Sequence, residues 1–213
     1  MITIDFARSL YPTNTDTAAD TAADAAHDFD HVLRVVTMAE QLARAEGADI
    51  EIVRAAALLH DIGLDEGRAG HETSAANRAR EILREHGYAE PFIAAVAHAI
   101  ESHRFRSGPA PETLEAKVLF DADKLDSIGA IGVARAYAFG GHRGQKLWAE
   151  VPPDYVDAGA DASQHTAVHE YHVKLKLIKD RLYTASGRAL AEDRHTFMVR
   201  FYEQLDREVK GNA

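Results

Sequence analysis

The segment IEIVRAAALLHDIG, residues 50–63, is apolar on nearly every face and then ends on a histidine–aspartate pair. A helix that is hydrophobic all round must be buried, so the rest of the chain has to wrap it, and the flanking sequence is patterned to do so. Phe29, Val32, Val35, Val36, Ala39, Leu42 and Ala43 fall on one helical face that starts after Asp28, a suitable N-cap, and stops at Gly47. Two further helical patterns, HETSAANRAREILREHG and PFIAAVAHAIESH, lead to a Gly/Pro break at SGPAP. One long helix is predicted from Glu112 through KVLFDADKLDSIGAIGVARAYAFG, where Gly129, Ala130, Gly132 and Ala134 permit close backbone approach. GGHRGQKLWAEVPPDYVDAGAD reads as a loop anchored by Trp148, and helical spacing resumes over 162–185 and 187–209. Strand alternation is absent, so the expected fold is all-α.

A 213-residue chain with 46% hydrophobic residues can bury a full core. The stretch TNTDTAADTAADAA lacks large apolar side chains, so residues 1–26 are expected to form a flexible lead-in and 27–213 one helical domain, with 142–213 as a C-terminal helical extension. No basic-then-apolar signal region opens the chain, and runs such as AAALL fall well short of the ~18 residues of a membrane span. A cytoplasmic protein without a membrane partner is the expectation. Twenty-four Lys and Arg against 34 Asp and Glu give a formal charge of −10, which disfavours a nucleic-acid polymer as partner. A small phosphorylated substrate is still admissible, because a bound cation and a few local bases invert the field inside a pocket.

The chemistry concentrates on His31, on the pair His60-Asp61, and on the acidic run Asp121-Ala122-Asp123-Lys124-Leu125-Asp126. Adjacent side chains at a helix end can converge on an ion lying off its edge, with other helices closing the coordination. Burying an isolated carboxylate is costly, so one placed beside an imidazole at the end of an apolar helix points to a cation. Asp123 and Asp126 share a helical face, Asp121 points away, and spacing leaves either of the first two as the fourth ligand. A mixed nitrogen and oxygen donor set suits Mn, Fe, Co, Ni or Zn better than Ca. The absence of cysteine excludes a thiolate zinc site.

In HDFDHVLRV, AALLHDIG and DADKLDSIGAIGVAR the chain resembles the HD-domain metal-dependent phosphohydrolases, in particular bacterial members similar to nucleotide pyrophosphohydrolases. The likeness runs over roughly residues 27–200. It implies an HD-domain helical bundle, with His31, His60, Asp61 and Asp123 as metal ligands and Asp126 in reserve. It also implies a divalent cation, Mn2+ first and Fe, Co, Ni, Zn or Mg as alternatives. The implied reaction is hydrolysis of phosphate esters or anhydrides, most concretely nucleoside triphosphate to monophosphate and pyrophosphate. A cation with open positions can coordinate both water and a phosphoryl oxygen.

Around those ligands, Asp65 and Glu66 are candidates for moving protons, although Leu64 stands where some related nucleotidases carry a glutamate. Lys124 and Arg34 are candidate phosphate contacts, and salt bridges to nearby carboxylates are the plain alternative for both. His103 resembles a histidine often found in the family between the pair and the last aspartate, which makes it a candidate contact to phosphate or a second metal, and His27, one turn before His31, is a candidate to line the same substrate pocket. His71, His86, His98 and His103 fall in the interval where dinuclear HD oxygenases carry extra histidines, but their spacing shows no paired arrangement. His165, His169 and His172 have helical spacing and read as an exposed face, with Glu170 facing elsewhere. The C-terminal helices are candidates for a homodimer surface, and a regulatory nucleotide-binding module is the non-catalytic alternative.

Overall fold

In the computed structural model, residues 2–11, 29–62, 70–105, 108–155 and 165–212 are described. Among them are nine α-helices and no strand: α1 (Ile4–Ser9), α2 (Phe29–Glu46), α3 (Ile50–Leu59), α4 (His71–Glu85), α5 (Glu90–Glu101), α6 (Leu114–Asp126), α7 (Gly129–His142), α8 (Ala167–Val173) and α9 (Ala185–Val209). A 3-10 segment, Leu175–Arg181, joins α8 to α9. None of the helices is long and apolar enough to cross a membrane.

The apolar segment takes the central place its composition demands. Asp49 caps α3 by accepting from the backbone N–H groups of Glu51 and Ile52, and Gly47 ends α2 with φ of 78°. Within α3, Val53, Ala56, Ala57, Leu58 and Leu59 are wholly buried, against α2, α5 and α6, with α1 and α4 also in contact. Alanines on several faces let these neighbours approach closely. Truncating a leucine such as Leu58 here costs about 2–5 kcal/mol.

The long helix expected from Glu112 is two helices. Ile128 is extended at the break, Gly129 adopts φ of 76°, and the small residues explain the corner. A Cβ on Gly129 would lie 3.0 Å from the Arg194 side chain, and one on Gly132 only 2.2 Å from the Ser127 carbonyl oxygen. Arg194 donates to the Leu125 carbonyl, one of those α6 leaves open at its end. The turn folds α7 back so that Arg135 faces Asp126.

The expected helix over 162–185 also divides, into α8 and the 3-10 segment. Thr166 and His169 form a capping box at the start of α8. His169 is buried by it, and His165 lies between Tyr155 and Glu170, its Nε2 at 3.1 Å from Glu170 Oε2. Only His172 of the three keeps the exposed position expected of all. Residues 2–11 belong to the core through Ile2, Ala7 and Tyr11. Trp148 packs at the core margin as expected.

Candidate metal centre

The end of α3 is fixed from several sides. A helix terminus leaves carbonyls unpaired, and here side-chain donors reach carbonyls at and just beyond the end of α3. His60 Nδ1 donates to the Ala57 carbonyl at 2.8 Å, the Tyr11 hydroxyl to that of Leu58 at 3.0 Å, and Arg78 to that of Ile62 at 2.8 Å. These contacts hold the His60-Asp61 turn rigid and set Asp61, 5% exposed, among four imidazoles.

His31, in the first turn of α2, points its Nε2 at Asp61 Oδ2 (3.7 Å) and Asp123 Oδ1 (3.5 Å), and His60 Nε2 lies 3.3 Å from Asp61 Oδ2. The four side chains that the resemblance implies as ligands therefore lie together, brought from α2, the α3 terminus and α6. The other oxygen of Asp61 faces a second group: Oδ1 lies 3.6 Å from His71 Nε2 and 3.8 Å from His103 Nε2. His31, His60 and Asp61 form one donor set within 4.8 Å, and Asp61, His71 and His103 form another. Here the structure corrects the sequence reading, since His71 and His103 make the pair that spacing did not reveal. His86 bonds the Ile82 carbonyl instead, and His98 accepts from the Glu112 N–H.

The imidazoles share one orientation. Nδ1 of His31 meets Asp126 at 2.7 Å, Nδ1 of His60 and His103 donate to the Ala57 and Ile100 carbonyls at 2.8 and 2.5 Å, and Nδ1 of His71 faces Glu72 at 3.5 Å. Occupying every Nδ1 from outside turns each Nε2 lone pair inward, as metal-ligating histidines require. His60 Nε2 is buried without a hydrogen-bond partner. A buried polar atom with no partner is costly, and a cation at that point would satisfy it. The donor set thus fits a divalent metal ion.

Without a cation the charges balance internally. Burial alone would lower the pKa of His60, but Asp61 beside it outweighs burial and lifts it to about 9. Burial would likewise raise Asp61 and Asp123, yet the surrounding imidazoles, and for Asp123 Lys124 above all, hold both well below the usual carboxylate range. Burial, reinforced by His60, pushes His103 down to about 4, and burial lowers His31 against the pull of Asp126. Two carboxylates stay ionised in a buried cluster, ready for a metal.

The three aspartates of α6 serve different ends. Asp123 faces the cluster. Asp126 faces the outer edge of His31 and takes two donors from Arg34 and one from Arg135. Asp121 turns away, as expected from helical phase, and accepts from the N–H groups of Tyr183 and Thr184 and from the Thr184 hydroxyl. Lys124 pairs with Asp123 and lies 5.5 Å above the Phe120 ring. His27, Asp28, Asp65 and Glu66 lie outside the described residues.

Comparison with known proteins agrees with this geometry. The HD domain family model matches residues 28–128. YpgQ of Bacillus subtilis is 34% identical over 85% of this chain and 83% of its own length. A crystal structure of YpgQ in complex with ADP superposes with a TM-score of 0.73 at 29% identity, covering 99% of this chain and 100% of that one. An HD-superfamily hydrolase from Bacillus thuringiensis matches with a TM-score of 0.69 at 30% identity, over 97% of this chain and 94% of the other. With the His, His-Asp and Asp elements gathered at one buried point, the chain belongs to the HD-domain family of metal-dependent phosphohydrolases.

Proposed function

We propose that the protein hydrolyses small nucleotides, with nucleoside triphosphates split to monophosphate and pyrophosphate, and that Mn2+ held by His31, His60, Asp61 and Asp123 is its metal. The observation that carries this reading is the set of inward-facing Nε2 atoms around Asp61, with Asp123 at 3.5 Å from His31. A divalent cation there would supply Lewis-acid polarisation of a phosphoryl oxygen and lower the pKa of bound water. The ADP held by the crystalline relative supports a nucleotide as ligand.

The chain's own residues supply the remaining functions. Lys124, 8% exposed beside Asp123, brings a cation to the margin of the cluster, where it meets an anionic substrate. Asp65 and Glu66, which follow the pair in sequence, are the proposed proton carriers. His27 is proposed at the substrate side, whereas the guanidinium of Arg34 is taken up by Asp126. Charged groups in such a confined site act with less screening than in water.

The second donor group favours one further reading: two cations bridged by Asp61, the second held by His71 and His103. The test of both is product analysis. Protein loaded with Mn2+ is incubated with nucleoside mono-, di- and triphosphates, and metal content is measured per chain. Pyrophosphate release from triphosphates supports the proposal, and turnover of no phosphorylated substrate by fully loaded protein refutes it. A content near two per chain selects the bridged pair.

A further inference from the structure

The outer face of His31 is the most elaborately built contact near the centre. Asp126 is 4% exposed and its Oδ2 lies 2.7 Å from His31 Nδ1. Arg34 reaches the same carboxylate from α2 with two parallel donors, Nε to Oδ1 at 2.8 Å and an Nη to Oδ2 at 3.1 Å. Arg135 reaches it from α7 at 2.6 Å, and also donates to the Asp126 backbone carbonyl at 3.0 Å. Fork-shaped pairing of guanidinium with carboxylate fixes orientation as well as charge. A carboxylate left to itself beside an imidazole can rotate; this one is held by two guanidinium groups from two helices.

Resting on the metal reading of the site, we propose that Asp126 is a positioning residue for the metal ligand His31, and that Arg34 and Arg135 serve the metal through it. Asp126 keeps the proton of His31 on Nδ1, so the lone pair of Nε2 stays directed at the site between Asp61 and Asp123. The α6–α7 corner belongs to the same device, because the turn at Gly129 brings Arg135 back onto the residue that ends α6. Arg34 then has a role different from a direct phosphate contact, and the two roles predict different kinetics.

The experiment titrates Mn2+ alone into wild type, Asp126→Asn, Arg34→Gln and Asp123→Asn by calorimetry, with thermal unfolding as the control for folding. It then measures nucleotide hydrolysis at saturating Mn2+. Outer partners of ligating histidines typically change metal affinity by about 10- to 100-fold. Asp126→Asn is expected to weaken Mn2+ binding within that range. Arg34→Gln, at a more exposed position, is expected to weaken it by a smaller factor while leaving the substrate KM at saturating Mn2+ unchanged. A folded Asp126→Asn with wild-type Mn2+ affinity overturns the inference, as does an Arg34→Gln variant that raises only the substrate KM. If wild type binds no Mn2+ and Asp123→Asn behaves identically, the metal reading itself has failed and takes this inference with it.

Discussion

Replacing Asp121 by alanine separates fold from chemistry within one acidic run. Asp121 is fully buried and accepts from Tyr183 N–H at 2.9 Å, Thr184 N–H at 2.7 Å and the Thr184 hydroxyl at 2.6 Å. Burial raises its pKa against the pull of these donors, so they offset only part of its desolvation. Removing the carboxylate leaves the buried Thr184 N–H and the part-buried Tyr183 N–H without acceptors, at about 1–3 kcal/mol each, the second towards the low end. The hydroxyl keeps its bond from the Gly187 N–H and adds little. The expected loss is on the order of 2–4 kcal/mol, which for a chain of this size lowers Tm by roughly 4–16 °C. Thermal unfolding followed by circular dichroism reads the loss, and Mn2+ titration below the lowered Tm is expected to match wild type. A Tm shift under about 3 °C, or lost Mn2+ binding with an unchanged Tm, refutes the division of labour among the three aspartates.

Asp123→Asn is expected to abolish the stabilisation that Mn2+ gives wild type, which at 100 times the dissociation constant amounts to about 2.7 kcal/mol; differential scanning calorimetry with and without Mn2+ checks it. Cation affinity is expected to rise with pH. His60, lifted to about 9 by Asp61, carries a proton at neutral pH that coordination must displace. Each pH unit between about 7 and 9 therefore strengthens binding by up to about tenfold. Calorimetry in buffers of different ionisation enthalpy is expected to show proton release, and pH-independent affinity would contradict the assignment. Gly187→Ala is expected to destabilise by about 1–3 kcal/mol, because its Cβ would lie 2.5 Å from Asp121 Oδ2 and 2.7 Å from Thr184 Oγ1; a melting curve superimposable on wild type would contradict that packing.

How much of this was legible in the sequence depended on the range of the interaction involved. The all-round apolarity of 50–59 and the one-sided pattern of α2 sufficed for the central helix and its first neighbour, because burial of a helix face is a local, periodic property. The corner after Asp126 was hidden, because it depends on Gly129 meeting Arg194 and Gly132 meeting Ser127, contacts that helical spacing does not encode. The phase of α6 correctly set Asp123 and Asp126 apart from Asp121. It could not tell which aspartate faces the cluster and which faces the back of His31, since that depends on how α2 crosses α6. His71 and His103 lie 32 residues apart and meet only through the packing of α4 on α5. Arg135 closes the stretch DADKLDSIGAIGVAR, but nothing in the spacing gave it a role; a cation nine residues past an acidic run becomes informative only once the intervening turn is known. His169 was read as exposed, and its place as a helix cap depends on Thr166 supplying the other half of a capping box.

The most direct measurement is an anomalous difference map from crystals grown with Mn2+, recorded near the manganese absorption edge. The expected result is a peak bounded by His31 Nε2, His60 Nε2, Asp61 Oδ2 and Asp123, at about 2.0–2.3 Å from each donor. A map with no peak among those four side chains, from protein that hydrolyses nucleotides in the same buffer, would contradict the account at its root.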